Sequence, residues 1–114
     1  MQLPGLHEAV VTREKVQQYL LSNTHVFGAA KAAFFRRFGF RTDQWEQLAT
    51  ALRVHAESHP VATAEDTDFG TRYTVEGCLN TPDGRRPMVR AVWFVPQIGG
   101  PTHFVTAYPL RSPT

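Results

Sequence analysis

The chain has 114 residues, of which 42% are hydrophobic and 19% charged, and its formal net charge is +2. A chain of this length can bury one core but not two, so we expect a single domain over residues 3–110. Its one cysteine, Cys78, excludes an intramolecular disulfide and favours a reducing compartment. Because the sequence shows neither a signal-peptide pattern nor an apolar run of membrane-spanning length, we expect a soluble, cytoplasmic protein.

The first half of the chain shows helical periodicity in three places. Thr12 is a suitable N-cap for a short first helix. A second helix is predicted over residues 27–38 and should end at Gly39, since glycine readily adopts the left-handed conformation that follows many helices. Thr42 is expected to cap a third helix, which Pro60 ends.

After Pro60 the hydrophobic period changes from that of a helix to that of a strand. Turn residues separate four segments with strand character: 61–65, 71–79, 88–95 and 103–108. Strands joined by short turns form an antiparallel β-meander. The sequence therefore predicts an α+β fold in which about three helices pack on one face of a three- to four-stranded antiparallel sheet.

The alternation also predicts which side chains share a face of the sheet. If the turn at Pro82–Gly84 pairs Val75 with Val89, an apolar face forms from Tyr73, Val75, Ala91, Trp93, Val105 and Ala107. The opposite face then carries Arg72, Thr74, Glu76, Arg90, Thr106 and Tyr108. A slip of one residue would bury Arg90 and expose Trp93, which argues against that register. The polar face is either simply solvated or, through its arginines, an anion-binding surface.

Two pairs of residues outside the sheet are candidates for metal binding or catalysis. His55 and His59 stand four apart, a spacing that can hold a metal, but no third ligand is near and we interpret them as surface histidines. We predict no metal and no cofactor. His25 and Lys31 are either a cap-region residue and a snorkelling side chain, or a general base and an oxyanion-stabilising cation.

A family resemblance is carried by three stretches of the chain. They are Tyr19-Leu20-Leu21 with His25, Gly28, Lys31, Phe34 and Phe35; Gly70–Gly77 with Pro82-Asp83-Gly84-Arg85; and Val89-Arg90 with Trp93 and Val105–Pro109. Together they resemble a small uncharacterised bacterial domain family that occurs alone and at the C-terminus of polymorphic toxins. The resemblance extends over roughly Leu3 to Pro109.

The terminal segment Thr106-Ala107-Tyr108-Pro109, after a helical first half, is also similar to the barnase–EndoU–colicin–RelE (BECR) group of ribonuclease toxins. This resemblance implies metal-independent cleavage of RNA. It assigns catalytic roles to His25, Lys31, Arg90, Thr106 and Tyr108, and substrate binding to Arg72, Arg85 and His103. The resemblance leads us to expect a basic residue, usually arginine, in place of His103, so His103 is either an alternative base or a sign of weakened activity. The implied partners are RNA and a small acidic antitoxin or immunity-type protein encoded nearby.

The reaction implied by this resemblance needs no cofactor. A base removes the proton of an RNA 2′-hydroxyl, the oxygen attacks the adjacent phosphorus, and cationic groups stabilise the phosphorane. The alternative is a non-catalytic module that binds a partner or an anion. Growth arrest on expression distinguishes the two, since only a toxin should cause it.

Overall fold

The computed structural model describes residues 1–20 and 29–110, and the side chains of residues 18–20 and 29–31 lie outside that description. Besides two short 3₁₀ turns, Leu6–Glu8 and Thr42–Gln44, three longer helical segments precede the sheet in the described residues: Lys15–Leu20, α1 (Ala29–Arg37) and α2 (Trp45–Ser58). Four strands follow: β1 (Val61–Thr67), β2 (Gly70–Cys78), β3 (Met88–Pro96) and β4 (His103–Pro109). The strands form one antiparallel sheet in the order β1-β2-β3-β4. The predicted α+β meander is confirmed.

The ends of the helices follow local chemistry, with one exception. The Thr12 hydroxyl accepts a hydrogen bond from the Lys15 backbone N–H at 3.2 Å, as a capping residue should. Gly39 follows α1 with a φ of 102°. Thr42 does not cap a helix, because a 3₁₀ turn over Thr42–Gln44 precedes α2. Its hydroxyl instead accepts a hydrogen bond from Arg36 Nη2 at 3.0 Å.

The register of β2 and β3 differs from the predicted one by two residues. Val75 pairs with Ala91, and Gly77 pairs with Val89. The turn at Pro82–Gly84 lies within a longer connection, which the hydrogen bond from Leu79 N to Pro87 O closes at 2.9 Å. Because a shift of two residues preserves the alternation of faces, Trp93 is buried as predicted.

A β-bulge in β4 corrects one member of the predicted apolar face. Thr106 pairs with Val92, but Phe104 pairs with Trp93, so Val105 is the extra residue. Phe104 takes the core position and packs edge-on against Trp93, with ring centroids 5.5 Å apart. The bulge leaves Val105 half-buried.

The core lies between the helices and one face of the sheet. Phe35 of α1 and Leu48 and Leu52 of α2 are buried with Val75 and Trp93 of the sheet. Among the described residues, no helix has both the length and the apolar character that crossing a bilayer requires.

The interpretation of His55 as a surface histidine is wrong. Its side chain is buried, and Nε2 lies 3.1 Å from Gly77 O and 3.0 Å from Val89 O. Carbonyl oxygens only accept hydrogen bonds, so Nε2 carries the hydrogen and donates to both strands. Burial lowers the pKa of His55, and His59 nearby lowers it further. His55 is therefore a neutral core residue that ties α2 to β2 and β3.

Candidate functional site

The outer face of the sheet, defined as the face turned away from α1 and α2, carries most of the predicted site residues. The strand registers arrange its side chains in three cross-strand rows. These are the Arg90 row (Glu76, Arg90, Tyr108), the threonine row (Thr63, Thr74, Val92, Thr106) and the Phe94 row (Glu65, Arg72, Phe94, His103). Successive rows are two residues apart along a strand, or about 7 Å.

The Arg90 row is a hydrogen-bonded triad across three strands. Arg90 Nε donates to Glu76 Oε2 at 2.5 Å, and Arg90 Nη2 forms an ion pair with the same carboxylate. Arg90 Nη1 donates to the Tyr108 hydroxyl at 3.3 Å. The contacts with Tyr108 and Glu76 raise the pKa of Arg90 above its ordinary value. The row thus holds a permanently charged guanidinium in one orientation, with 37% of its side chain still exposed.

The threonine row lies directly beside the Arg90 row. The hydroxyls of Thr63 and Thr74 form a hydrogen bond, and Thr106 stands across from Val92 on β4. Tyr108 and Thr106 are two residues apart on one strand, so both border the position of the Arg90 guanidinium. Three of the five predicted catalytic residues are therefore neighbours on this face.

The Phe94 row forms the far end of the outer face. The rings of Phe94 and His103 lie 5.6 Å apart at an angle of 58°. Arg72 stands across from Phe94 on β2, is exposed, and makes no ion pair within the described residues. Phe94 is four residues from Arg90 along β3, or about 13 Å. Arg72 and His103 thus share the face with Arg90 without touching it.

The remaining predicted residues are not among the side chains that the structure describes on this face. Arg85 lies in the β2–β3 connection, where it donates to Asp83 and to the Arg37 carbonyl and covers the Phe38 ring. Lys31 belongs to α1, which packs on the core face, and its side chain is outside the described part. His25 lies outside the described residues altogether.

Glu76 is the site residue that sequence reasoning missed. Alternation correctly placed it on the polar face, but the predicted register set it opposite Met88 and set Arg90 opposite Thr74. The observed register makes Glu76 the direct partner of Arg90. The charge pair itself was the available signal, because opposite charges face each other favourably across antiparallel strands.

Other parts of the described surface bring together fewer polar and charged side chains. A cavity of about 580 Å³ lies between α2 and the β2–β3 connection, with largely apolar walls that include Phe40, Val54 and Pro82. Within the described ranges, no three histidine, cysteine or acidic side chains come together as a metal site. The outer face is therefore the place where the predicted residues and the polar contacts coincide.

Comparisons with other proteins place this geometry in context. A chain of the contact-dependent growth inhibition toxin–immunity protein complex from Klebsiella pneumoniae 342 has the same fold, with a TM-score of 0.71 and 19% sequence identity. The alignment covers 89% of this chain and 99% of that one. No curated protein matches. The sequence model of a family described as a domain of unknown function (DUF6883) matches residues 2–111, and the chain belongs to that family.

Proposed function

We propose that this chain is a toxin domain of a polymorphic toxin or toxin–antitoxin system, and that it cleaves RNA without a metal. The observation that carries the proposal is the Arg90 row, a fixed guanidinium between a carboxylate and a phenol on the outer face. The fold shared with a chain from a toxin–immunity protein complex supports the toxin role. The resemblance of the Thr106–Pro109 segment to ribonuclease toxins supports the reaction.

Arg90 would stabilise the transition state. When a 2′-oxygen attacks phosphorus, negative charge accumulates on the non-bridging oxygens, and a cation already held in place stabilises that charge without reorganising. The planar guanidinium suits two phosphate oxygens at once. Glu76 fixes its orientation from β2, and Tyr108 fixes it from β4. Thr106 would contact the same phosphate from the neighbouring row.

A base must take the proton of the 2′-hydroxyl. Glu76 is the carboxylate already in contact with Arg90, so we assign it this role first. His103 stands in the Phe94 row, which lies about 13 Å from the Arg90 row along the strands, and this favours substrate binding for it. His25 and Lys31 remain candidates to be tested by substitution. The 2′-oxygen–phosphorus bond forms as the bond to the 5′-oxygen breaks, giving a 2′,3′-cyclic phosphate and a 5′-hydroxyl after that oxygen takes a proton.

The proposed toxin requires an inhibitor in the cell that makes it. We infer a small acidic immunity-type or antitoxin protein that covers the outer face. Carboxylates of such a partner would pair with Arg72, which is exposed, and would compete with RNA for Arg90. Titrating the purified partner against RNA cleavage tests this assignment, since binding at the outer face predicts complete inhibition.

Inducible expression in a bacterial host tests the toxin role. Wild type should arrest growth and degrade cellular RNA, leaving 2′,3′-cyclic phosphate ends. Arg90→Ala should allow growth, whereas Arg41→Ala should remain toxic, because the Arg41 side chain forms an exposed ion pair with Asp43 and lies outside the three rows of the outer face. Normal growth with folded wild type, together with intact RNA in EDTA, would overturn the proposal.

A second candidate function is a binding module without catalysis. The balance of charge on the outer face favours it, since Glu65 and Glu76 offset Arg72 and Arg90 among the described residues. A surface with both signs of charge suits a protein partner at least as well as a phosphate chain. Under this alternative the protein binds its partner, and Arg90→Ala weakens that binding, but no variant alters RNA.

A further inference from the structure

Building on the proposed function, we infer that the Phe94 row is a base-binding subsite for single-stranded RNA. The Phe94 ring would be the stacking platform. His103 would border it on β4, and Arg72 would face it from β2. The base held there would belong to a nucleotide near the one that reacts at Arg90.

The backbone around Phe94 holds its ring in place. Gly70 of β2 lies diagonally opposite Phe94 of β3. A Cβ on Gly70 would come within 2.8 Å of Phe94 Cζ and 2.2 Å of Val95 O. The φ of Gly70, 152°, also favours glycine. The ring therefore covers Gly70 on one side and contacts the His103 ring on another, yet stays half-exposed. A platform fixed in this way loses little freedom when a base stacks on it.

The charge of the outer face makes stacking necessary for tight binding. Because Glu65 and Glu76 offset Arg72 and Arg90, the attraction of the face for phosphates is weaker than that of a basic groove. Aromatic stacking does not depend on charge, and it accepts any base. Arg72 adds a guanidinium that can stack on the same base or contact its phosphate.

The geometry selects a single strand over a duplex. Phe94 lies about 13 Å from Arg90 along β3, so a strand whose phosphate reaches Arg90 can stack the base of a nearby nucleotide on the Phe94 ring only if that base is unpaired and turned toward the sheet. Paired and stacked bases of a duplex cannot expose a face in this way, whereas unpaired bases can. The subsite therefore defines the substrate as unpaired RNA.

Binding of uncleavable probes tests the subsite separately from the reaction. The probes are a short 2′-O-methyl oligonucleotide and the same backbone carrying abasic sites. Neither can be cut by attack of a 2′-hydroxyl. Wild type should bind the base-bearing probe more tightly, by about 5- to 150-fold for one stacked base. Phe94→Leu still covers Gly70 but removes the π face, so most of this preference should be lost.

The matched control is Phe69→Leu, which alters an exposed phenylalanine in the β1–β2 turn, outside the three rows. It should keep the wild-type preference. If Phe94→Leu does not fold, Phe94→Met replaces it in the test, because methionine is also non-aromatic and long enough to cover Gly70. An unchanged preference in the folded variant would overturn the subsite. Wild type that binds the base-bearing probe but leaves natural RNA intact overturns the ribonuclease proposal alone, and wild type that binds neither probe overturns both.

Discussion

Glu76 and Arg90 face each other directly across β2 and β3, and Arg90 Nε donates to Glu76 Oε2 at 2.5 Å. The pair is half-exposed on the outer face, where an isolated ion pair contributes little stability. Its value in the proposed reaction is orientation: the carboxylate fixes the guanidinium that a phosphate would meet. The same carboxylate contacts the Arg90 guanidinium, and we therefore proposed it as the base.

Replacing Glu76 tests its proposed role as the base that takes the proton of the 2′-hydroxyl. Glu76→Gln keeps an acceptor oxygen for Arg90 but cannot take a proton, so single-turnover cleavage of RNA should slow by about 10²–10⁴-fold. The control is Glu46→Gln on α2, beside the helix-side cavity. If both variants cleave equally well, the base is another residue, and His25→Ala and His103→Ala become the next measurements.

The buried histidine predicts a pH-dependent stability. The pKa of His55 is lowered from 6.5, chiefly by burial, so the unfolded chain takes up a proton before the folded chain does. The contribution of His55 to the free energy of unfolding should therefore be fully present above pH 6.5, and the free energy of unfolding should decrease as the pH falls below that value. Urea unfolding at about pH 7.5 and about pH 5 measures the loss.

His55→Gln supplies the control for that measurement. Its amide can still donate to a carbonyl of Gly77 or Val89 but does not titrate, so the loss of stability in acid should be smaller than in wild type. His55→Ala should cost about 1–3 kcal/mol above pH 6.5, because both carbonyls lose their donor, and less in acid, where wild type itself is destabilised. An equal pH dependence in wild type and His55→Gln would show that other groups cause the acid sensitivity.

Gly77 predicts a coupled pair of substitutions. A Cβ on Gly77 would lie 2.2–2.4 Å from three atoms of the His59 ring, which a hydrogen bond to the His55 carbonyl holds in place. Gly77→Ala should therefore lower the free energy of unfolding by about 1–3 kcal/mol. In the double variant with His59→Ala the added methyl has room, so the combined cost should be less than the sum of the two single costs. Additive costs would mean that the ring does not oppose the methyl group.

Arg85 is predicted to stabilise rather than to bind substrate. It joins the β2–β3 connection to the end of α1 through Asp83, the Arg37 carbonyl and the Phe38 ring, whose centroid lies 4.4 Å from the guanidinium carbon. Arg85→Ala should lower the melting temperature by several degrees, corresponding to about 1 kcal/mol, and leave RNA cleavage unchanged. A loss of cleavage at unchanged stability would restore the substrate-binding role that the family resemblance implied.

Alternation was enough to predict which side chains of β2 and β3 share a face, because a two-residue error in register leaves both faces of these strands unchanged. Trp93 is accordingly buried and Arg90 outward, although the predicted pairing of Val75 was wrong. The identity of cross-strand partners was not predictable in this way. It depends on the length of the β2–β3 connection, and this is why the pairing of Glu76 with Arg90 was missed.

Two further differences arise where tertiary contacts override a local pattern. The bulge at Val105 was missed because Phe104 and Val105 are both apolar, so alternation alone does not decide which of them faces the core. His55 did have a signal, since it stands three residues after Leu52 on the stripe that α2 buries. A histidine on such a stripe needs acceptors in the core, and two backbone carbonyls of the sheet provide them.

Cleavage of single-stranded RNA in EDTA by wild type, Arg90→Ala and Arg41→Ala tests the central claim most directly. Wild type and Arg41→Ala should release fragments with 2′,3′-cyclic phosphate ends at similar rates. Arg90→Ala should be slower by about 10²–10³-fold, the usual cost of losing one transition-state contact. Equal rates for wild type and a folded Arg90→Ala, or cleavage by wild type only after a metal is added, would contradict the account.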